Sequence, residues 1–89
     1  MKITCKVKIK NNLGLHARPA TIIAKLLQSV KSSVSFTYKK ETINAKSIMS
    51  ILMLAARKNS LITVVTDGDD AQEIMTKIQE AFENKFGEA

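Results

Sequence analysis

Lys2-Ile3-Thr4-Cys5-Lys6-Val7-Lys8-Ile9 alternates strictly: Ile3, Cys5, Val7 and Ile9 fall on one side, Lys2, Thr4, Lys6 and Lys8 on the other. A period of two with one lysine-rich face predicts a half-buried strand over residues 2–9, in a sheet wet on one side. Asn11-Asn12-Leu13-Gly14 then breaks the pattern as a loop. From Ala17 to about Ser29 the apolar residues Ala20, Ile23, Ala24, Leu27 and Val30 recur at three and four, the single stripe of a surface helix. Pro19 suits only the first turn of such a helix, where its missing N–H leaves no bond unmade. The switch of period therefore places His16, the one histidine of the chain, at or beside a helix N-cap.

Beyond this, Lys31-Ser32-Ser33 is a turn, and Val34, Phe36 and Tyr38 alternate with Ser33, Ser35 and Thr37 as a second strand. Lys39-Lys40 turns the chain and Glu41–Asn44 returns as a short third strand, a hairpin without the Asn-Gly or Asp-Gly of a tight primed turn. Ser47 is suited to cap a second helix. Residues Ile48–Ala56 of that helix are apolar almost throughout, so it is either deeply buried or partly offered to a partner; Asn59 is suited to end it in the left-handed conformation. Leu61–Thr66 is a β-branched strand, and Asp67-Gly68-Asp69 turns the chain and supplies an N-cap. Ala71, Ile74, Met75, Ile78, Ala81 and Phe82 mark an amphipathic helix from about Asp70 to Asn84, ended by Gly87. The order β-α-β-β-α-β-α, with strands wet on one face, predicts an α+β open-faced two-layer sandwich in which three helices cover one side of the sheet.

A chain of 89 residues is one small domain (1–89) with a modest core and no room for a large enclosed active site. Chemistry belongs at its surface, with a second protein completing the site. The single cysteine, Cys5, excludes an internal disulfide and fits a reducing, cytoplasmic setting. Met1–Lys10 carries no apolar stretch of a signal peptide, and nothing approaches the ~20 apolar residues of a membrane span, so no membrane insertion is expected. The net charge of +6 is unevenly spread. Residues 1–60 hold twelve Lys and Arg against Glu41 alone, whereas residues 61–89 hold two Lys against seven acids. Such an oriented charge suits acidic partners, or equally serves solubility alone. Nucleic acid is not expected among them, since no aromatic platform interleaves the lysines.

Gly14-Leu15-His16-Ala17-Arg18-Pro19-Ala20 carries the chemistry. An imidazole titrates near ~6.5 and is largely neutral and nucleophilic at pH 7. The first turn of a helix supplies unpaired N–H groups and about half a positive charge, both of which welcome a phosphate attached to the ring. Arg18 adds a planar fork matched to phosphate oxygens. Phosphoryl transfer asks for little more than positioning and charge stabilisation. A zinc site is not expected with one His and one Cys, nor a Ser-His-Asp hydrolase without a deep pocket. No phosphate-binding loop or dinucleotide fingerprint occurs, so no cofactor or metal is expected. A lone histidine at a helix start is also an ordinary surface or capping residue, and the local pattern alone leaves that alternative open.

With Lys46-Ser47-Ile48-Met49 thirty-one residues further on, that motif resembles the histidine-containing phosphocarrier (HPr) family of the bacterial phosphoenolpyruvate-dependent phosphotransferase system, over essentially the whole chain. The resemblance implies a four-stranded antiparallel sheet. It implies that His16 takes phosphate on Nδ1 from a phosphohistidine of enzyme I and passes it to a IIA domain, as a carrier without turnover of its own. Arg18 matches the arginine that steadies the phosphohistidine, Pro19 the first-turn proline, and Ser47 the serine phosphorylated by HPr kinase/phosphorylase in many bacteria. A phosphate there adds about −1.5 to −2 charges and should weaken docking. Ser47 is equally a plain N-cap. The docking surface is expected from Ala17, Ala20, Thr21 and Lys25 with Ile48, Met49, Leu52 and Met53, of which Ile48 and Met49 fit an exposed face best. A monomer is the simplest expectation.

Departures from the family pattern are Ser50, Ala55 and Asn59 where relatives often carry glycine, and Lys39-Lys40 where many have Asn-Gly. Residues 52–56 and 83–88 look more like the nitrogen-branch carrier, NPr, whereas Pro19 does not. The alternative to a sugar-uptake carrier is therefore a nitrogen-branch or purely regulatory module, in which the phosphorylation state of His16 or Ser47 tunes another protein.

Overall fold

A computed structural model describes residues 1–88. The alternating opening stretch forms β1 (Lys2–Lys8), and the chain continues through α1 (Ala17–Leu26), β2 (Ser33–Tyr38), β3 (Glu41–Asn44), α2 (Ile48–Leu54), β4 (Leu61–Asp67) and α3 (Ala71–Glu83), followed by a single 3-10 turn at Lys85–Gly87. The four strands make one sheet in the order β1-β4-β2-β3, antiparallel throughout. In the register, Lys2 faces Asp67 and Lys8 faces Leu61 across β1 and β4, and Phe36 of β2 lies between Val64 and Ile43.

Alternation decides which side is covered. Val7, Val34, Phe36, Ile62 and Val64 are buried on one face of the sheet. They meet Ile23 and Leu27 from the first helical segment, Ile51 and Leu54 from α2, and Ile74, Met75, Ile78 and Phe82 from α3 in one continuous core. Phe82 is its hinge: its ring stands edge-on to Phe36 at 5.9 Å and to Phe86 at 4.9 Å between centroids. Edge-to-face pairs of this kind add about 0.5–1.5 kcal/mol beyond the area they bury. Thr66 is buried where the alternation asks for an apolar residue; its hydroxyl donates to the Ala71 carbonyl at 3.0 Å, joining β4 to the start of α3.

The element ends differ from the sequence-based expectations for identifiable reasons. Residue 9 lies beyond β1, yet its backbone stays paired: Ile9 N–H donates to Ser60 O and Asn59 N–H donates to Ile9 O. The first helix stops at Leu26 because residues 27–30 tighten into turns, with Gln28 N–H bonded to Lys25 O and Val30 N–H to Leu27 O. The second stops at Leu54, since Ala55 rather than Asn59 takes the left-handed cap at φ 51°. Asn59, also left-handed, belongs to the turn into β4. Asp70, not Asp69, precedes the first turn of α3, and its carboxylate does not cap that helix. It accepts instead from the Ser32 hydroxyl and from Ser32 N–H at 3.1 Å. Those bonds, led by the one from the Ser32 side chain, hold its carboxyl below the usual carboxylate range. Finally, α3 ends at Glu83, ahead of Gly87, because Lys85 and Phe86 turn left-handed and fold the Phe86 ring back onto Phe82.

Candidate functional site

The loop before α1 is fastened to the segment after α2. Gly14 sits at φ +69°, and a Cβ there would lie 2.4 Å from the Ala56 carbonyl oxygen. The absence of a side chain lets that carbonyl approach, and Leu15 N–H donates to it at 3.0 Å. From inside the loop, buried Asn11 donates through Nδ2 to the Gly14 carbonyl at 2.7 Å.

His16 follows as the N-cap of α1, with extended backbone (φ −80°, ψ −168°). Its carbonyl accepts the first helical bond, from Ala20 N–H at 3.1 Å, while its ring makes no capping bond. Helical geometry leaves the Ala17 and Arg18 N–H groups without an intrahelical acceptor, and Pro19 has none to lose. No acid lies in the first turn to answer the positive end of the helix. The imidazole is a third exposed (32%) and the Arg18 side chain largely so (71%).

A carboxylate distant in sequence completes the group. His16 Nε2 lies 2.9 and 2.8 Å from the two carboxylate oxygens of Glu88. Asn11 Nδ2 donates to one of them at 3.0 Å, and Arg18 Nε stands 3.9 Å from the other. The Glu88 side chain is only 12% exposed. The hydrogen bond from His16 is the main cause holding its carboxyl below the ordinary glutamate range, helped by Asn11 and by the positive charge of Arg18, against partial burial. A carboxylate only accepts, so this contact requires hydrogen on Nε2, and in a neutral ring it leaves the lone pair on Nδ1. His16, Arg18 and Glu88, together with Asn12, Leu13 and Gly87, line an open surface hollow of about 620 Å³.

Ser47 is the N-cap of α2; its hydroxyl oxygen accepts from Ser50 N–H at 3.2 Å. Lys25, Ser47, Ile48 and Met49 share a second hollow, about 490 Å³, between α1 and the start of α2. Ala17 is exposed, and Thr21 is half-buried with its hydroxyl tied to the Ala17 carbonyl at 2.8 Å. Met49 (68%) and Met53 (79%) stand out from α2 and Ile48 is exposed beside them. One expected surface residue is corrected: Ala20 is wholly buried on the core side of α1 and offers a partner nothing. Leu52 is half-buried, packed in part against the core.

Residues 3–84 match the family model described as the PTS HPr component phosphorylation site, and the chain belongs to that family. It is 48% identical to the phosphocarrier protein HPr of Chlamydia pneumoniae over 88 residues, covering 99% of this chain and 80% of that one. It is 36% identical to the phosphocarrier protein HPr of Xylella fastidiosa, covering 93% of each. Among solved structures, the crystal structure of HPr-C-His from Thermoanaerobacter tengcongensis superposes with a TM-score of 0.93 at 32% identity, covering 98% of both chains. Among the described residues no helix is long and apolar enough to cross a membrane.

Asn11 and Glu88 were the functional neighbours not legible from the sequence. Asn11 is one of several loop residues, and Glu88 is 72 positions from the imidazole it touches. Neither belongs to a local motif.

Proposed function

We propose that the protein is a phosphoryl carrier: His16 receives phosphate from the phosphohistidine of enzyme I and delivers it to a IIA domain, without turnover of its own. The observation that carries this reading is the imidazole at the rim of α1, with Nε2 engaged by Glu88 and Nδ1 free. The Nδ1 lone pair attacks the phosphorus of the donor phosphohistidine. The donor N–P bond breaks and its electron pair returns to the donor ring. The new phosphate gains the Ala17 and Arg18 N–H groups and the Arg18 guanidinium. Arg18 is loosely held at 3.9 Å from Glu88, so it turns to the phosphate at little cost.

Docking falls to Ala17, Thr21 and Lys25 of α1 with Ile48, Met49 and Met53 of α2, an apolar surface set in a basic one that fits acidic faces of enzyme I and IIA domains. Ser47, at the rim of the same hollow, is the regulatory phosphorylation site, open to a kinase of the HPr kinase/phosphorylase type. Its phosphate adds negative charge where the partners bring their own.

Incubation with enzyme I and labelled phosphoenolpyruvate tests the reading. An acid-labile, base-stable label that vanishes in His16→Ala is expected. Arg18→Ala should slow labelling by about tenfold, the worth of one charge-assisted contact, with an unchanged helix signal. Label retained by His16→Ala overturns the assignment. Offering the labelled protein sugar-type and nitrogen-type IIA domains then separates the two branches.

A further inference from the structure

We propose that Glu88 is a positioning residue for His16: by accepting the Nε2 proton it selects Nδ1 as the phosphoryl acceptor and balances the charge that the ring then gains. The inference rests on the carrier reading of His16 and adds to it a group outside the motif. Three features of the contact carry it. Both carboxylate oxygens lie within hydrogen-bond reach of one ring nitrogen, which fixes the tautomer rather than merely sitting near it. The carboxylate is itself held by Asn11 from the buried side, and the chain two residues earlier is anchored by the Phe86 ring packed on Phe82. And among the described residues that line the hollow Glu88 is the sole acid, set between the imidazole and Arg18.

The charge balance follows. A neutral ring carrying hydrogen on Nε2 gives up its Nδ1 lone pair to phosphorus and becomes cationic. No proton needs to leave, because the one on Nε2 stays shared with the Glu88 carboxylate. When phosphate departs, the electron pair returns to Nδ1 and the ring is neutral again. Without Glu88 either nitrogen is free to hold the proton, and either is open to attack.

Nitrogen-15 spectra of the His16 ring, together with phosphorylation by phosphoramidate and by enzyme I, test the proposal in the full chain. Phosphoramidate is small enough to reach both nitrogens. In the wild-type protein the neutral ring should carry its proton on Nε2 and phosphoramidate should yield the Nδ1 adduct. Glu88→Ala should raise the Nδ1–H share, give some Nε2 adduct, and slow enzyme I-dependent labelling by about tenfold, as loss of a hydrogen bond to a charged group implies. Glu88→Gln keeps an acceptor oxygen but no charge; it should restore Nδ1 selectivity while leaving the rate between the other two. An unchanged tautomer and adduct in Glu88→Ala, or faster labelling, overturns the proposal and leaves the carrier reading intact. Absence of enzyme I-dependent label in the wild type strikes the carrier reading alone, since the spectra and the phosphoramidate adduct need no enzyme.

Discussion

Gly14→Ala tests how the His16 loop is held. The new Cβ would sit 2.4 Å from the Ala56 carbonyl oxygen and 3.0 Å from the Arg57 Cα, where ordinary contacts begin at 3.4 Å. Both neighbours are backbone, so relief requires the loop to move by about 1 Å. The left-handed φ of +69° costs an alanine about 1 kcal/mol by itself. Moving the loop breaks the bond from Leu15 N–H to Ala56 O, worth about 1–1.5 kcal/mol in a buried setting. Loosened packing of buried Leu15 brings the expected loss to about 3 kcal/mol. For a domain of this size that lowers the melting temperature by about 12–24 °C. Gly87→Ala is the control: φ is +77° but nothing lies within 4 Å, so only the backbone cost of about 1 kcal/mol applies. Thermal and urea unfolding followed by circular dichroism reads both variants, and enzyme I-dependent labelling reads the displacement of His16. Equal losses in the two variants, or full labelling by Gly14→Ala, would refute the claim that this carbonyl fixes the loop.

Other outcomes are equally specific. Ala55→Gly should stabilise the protein by about 1 kcal/mol, because Ala55 holds φ 51° at the end of α2; an unchanged urea midpoint would remove that strain argument. The carboxyl of Asp70 titrates below its unfolded range, so its contribution is complete above about pH 4 and is lost as pH falls through the depressed folded value. Asp70→Asn should therefore show a smaller drop in urea midpoint between pH 6 and pH 3 than the wild type, and parallel drops would contradict it. Ser47→Ala should cost about 1 kcal/mol through loss of the bond from Ser50 N–H, whereas Ser47→Asp keeps an acceptor, folds normally and accepts phosphate more slowly. Wild-type labelling rates in Ser47→Asp would dispose of the electrostatic switch.

Period two and period 3.6 are local signals, and together with turn and cap residues they placed all seven elements and the imidazole at its helix rim. What they did not carry was competition between distant groups. Asn59 is the better left-handed residue by chemistry, yet Ala55 takes the cap because Ala56 must turn inward, buried, with its carbonyl facing Leu15. Asp70 is placed like a capping residue, yet Ser32, 38 positions earlier, captures its carboxylate. Ala20 shares the motif with His16 and Arg18, but a helix turns it four residues later onto the core side. Glu88 had no local signal at all; its meeting with His16 depends on the left-handed pair Lys85 and Phe86, which no residue preference announces.

The position of β4 between β1 and β2 has a consequence for how the chain acquires its shape. Lys2 must wait for Asp67 before its strand has any neighbour, whereas β2 and β3 close across two residues. Until β4 is in place, β1 has no strand to pair with, and its Ile3, Cys5 and Val7 have no sheet to join. Pairing over so long a separation adds loop-closure entropy that the local hairpin does not carry.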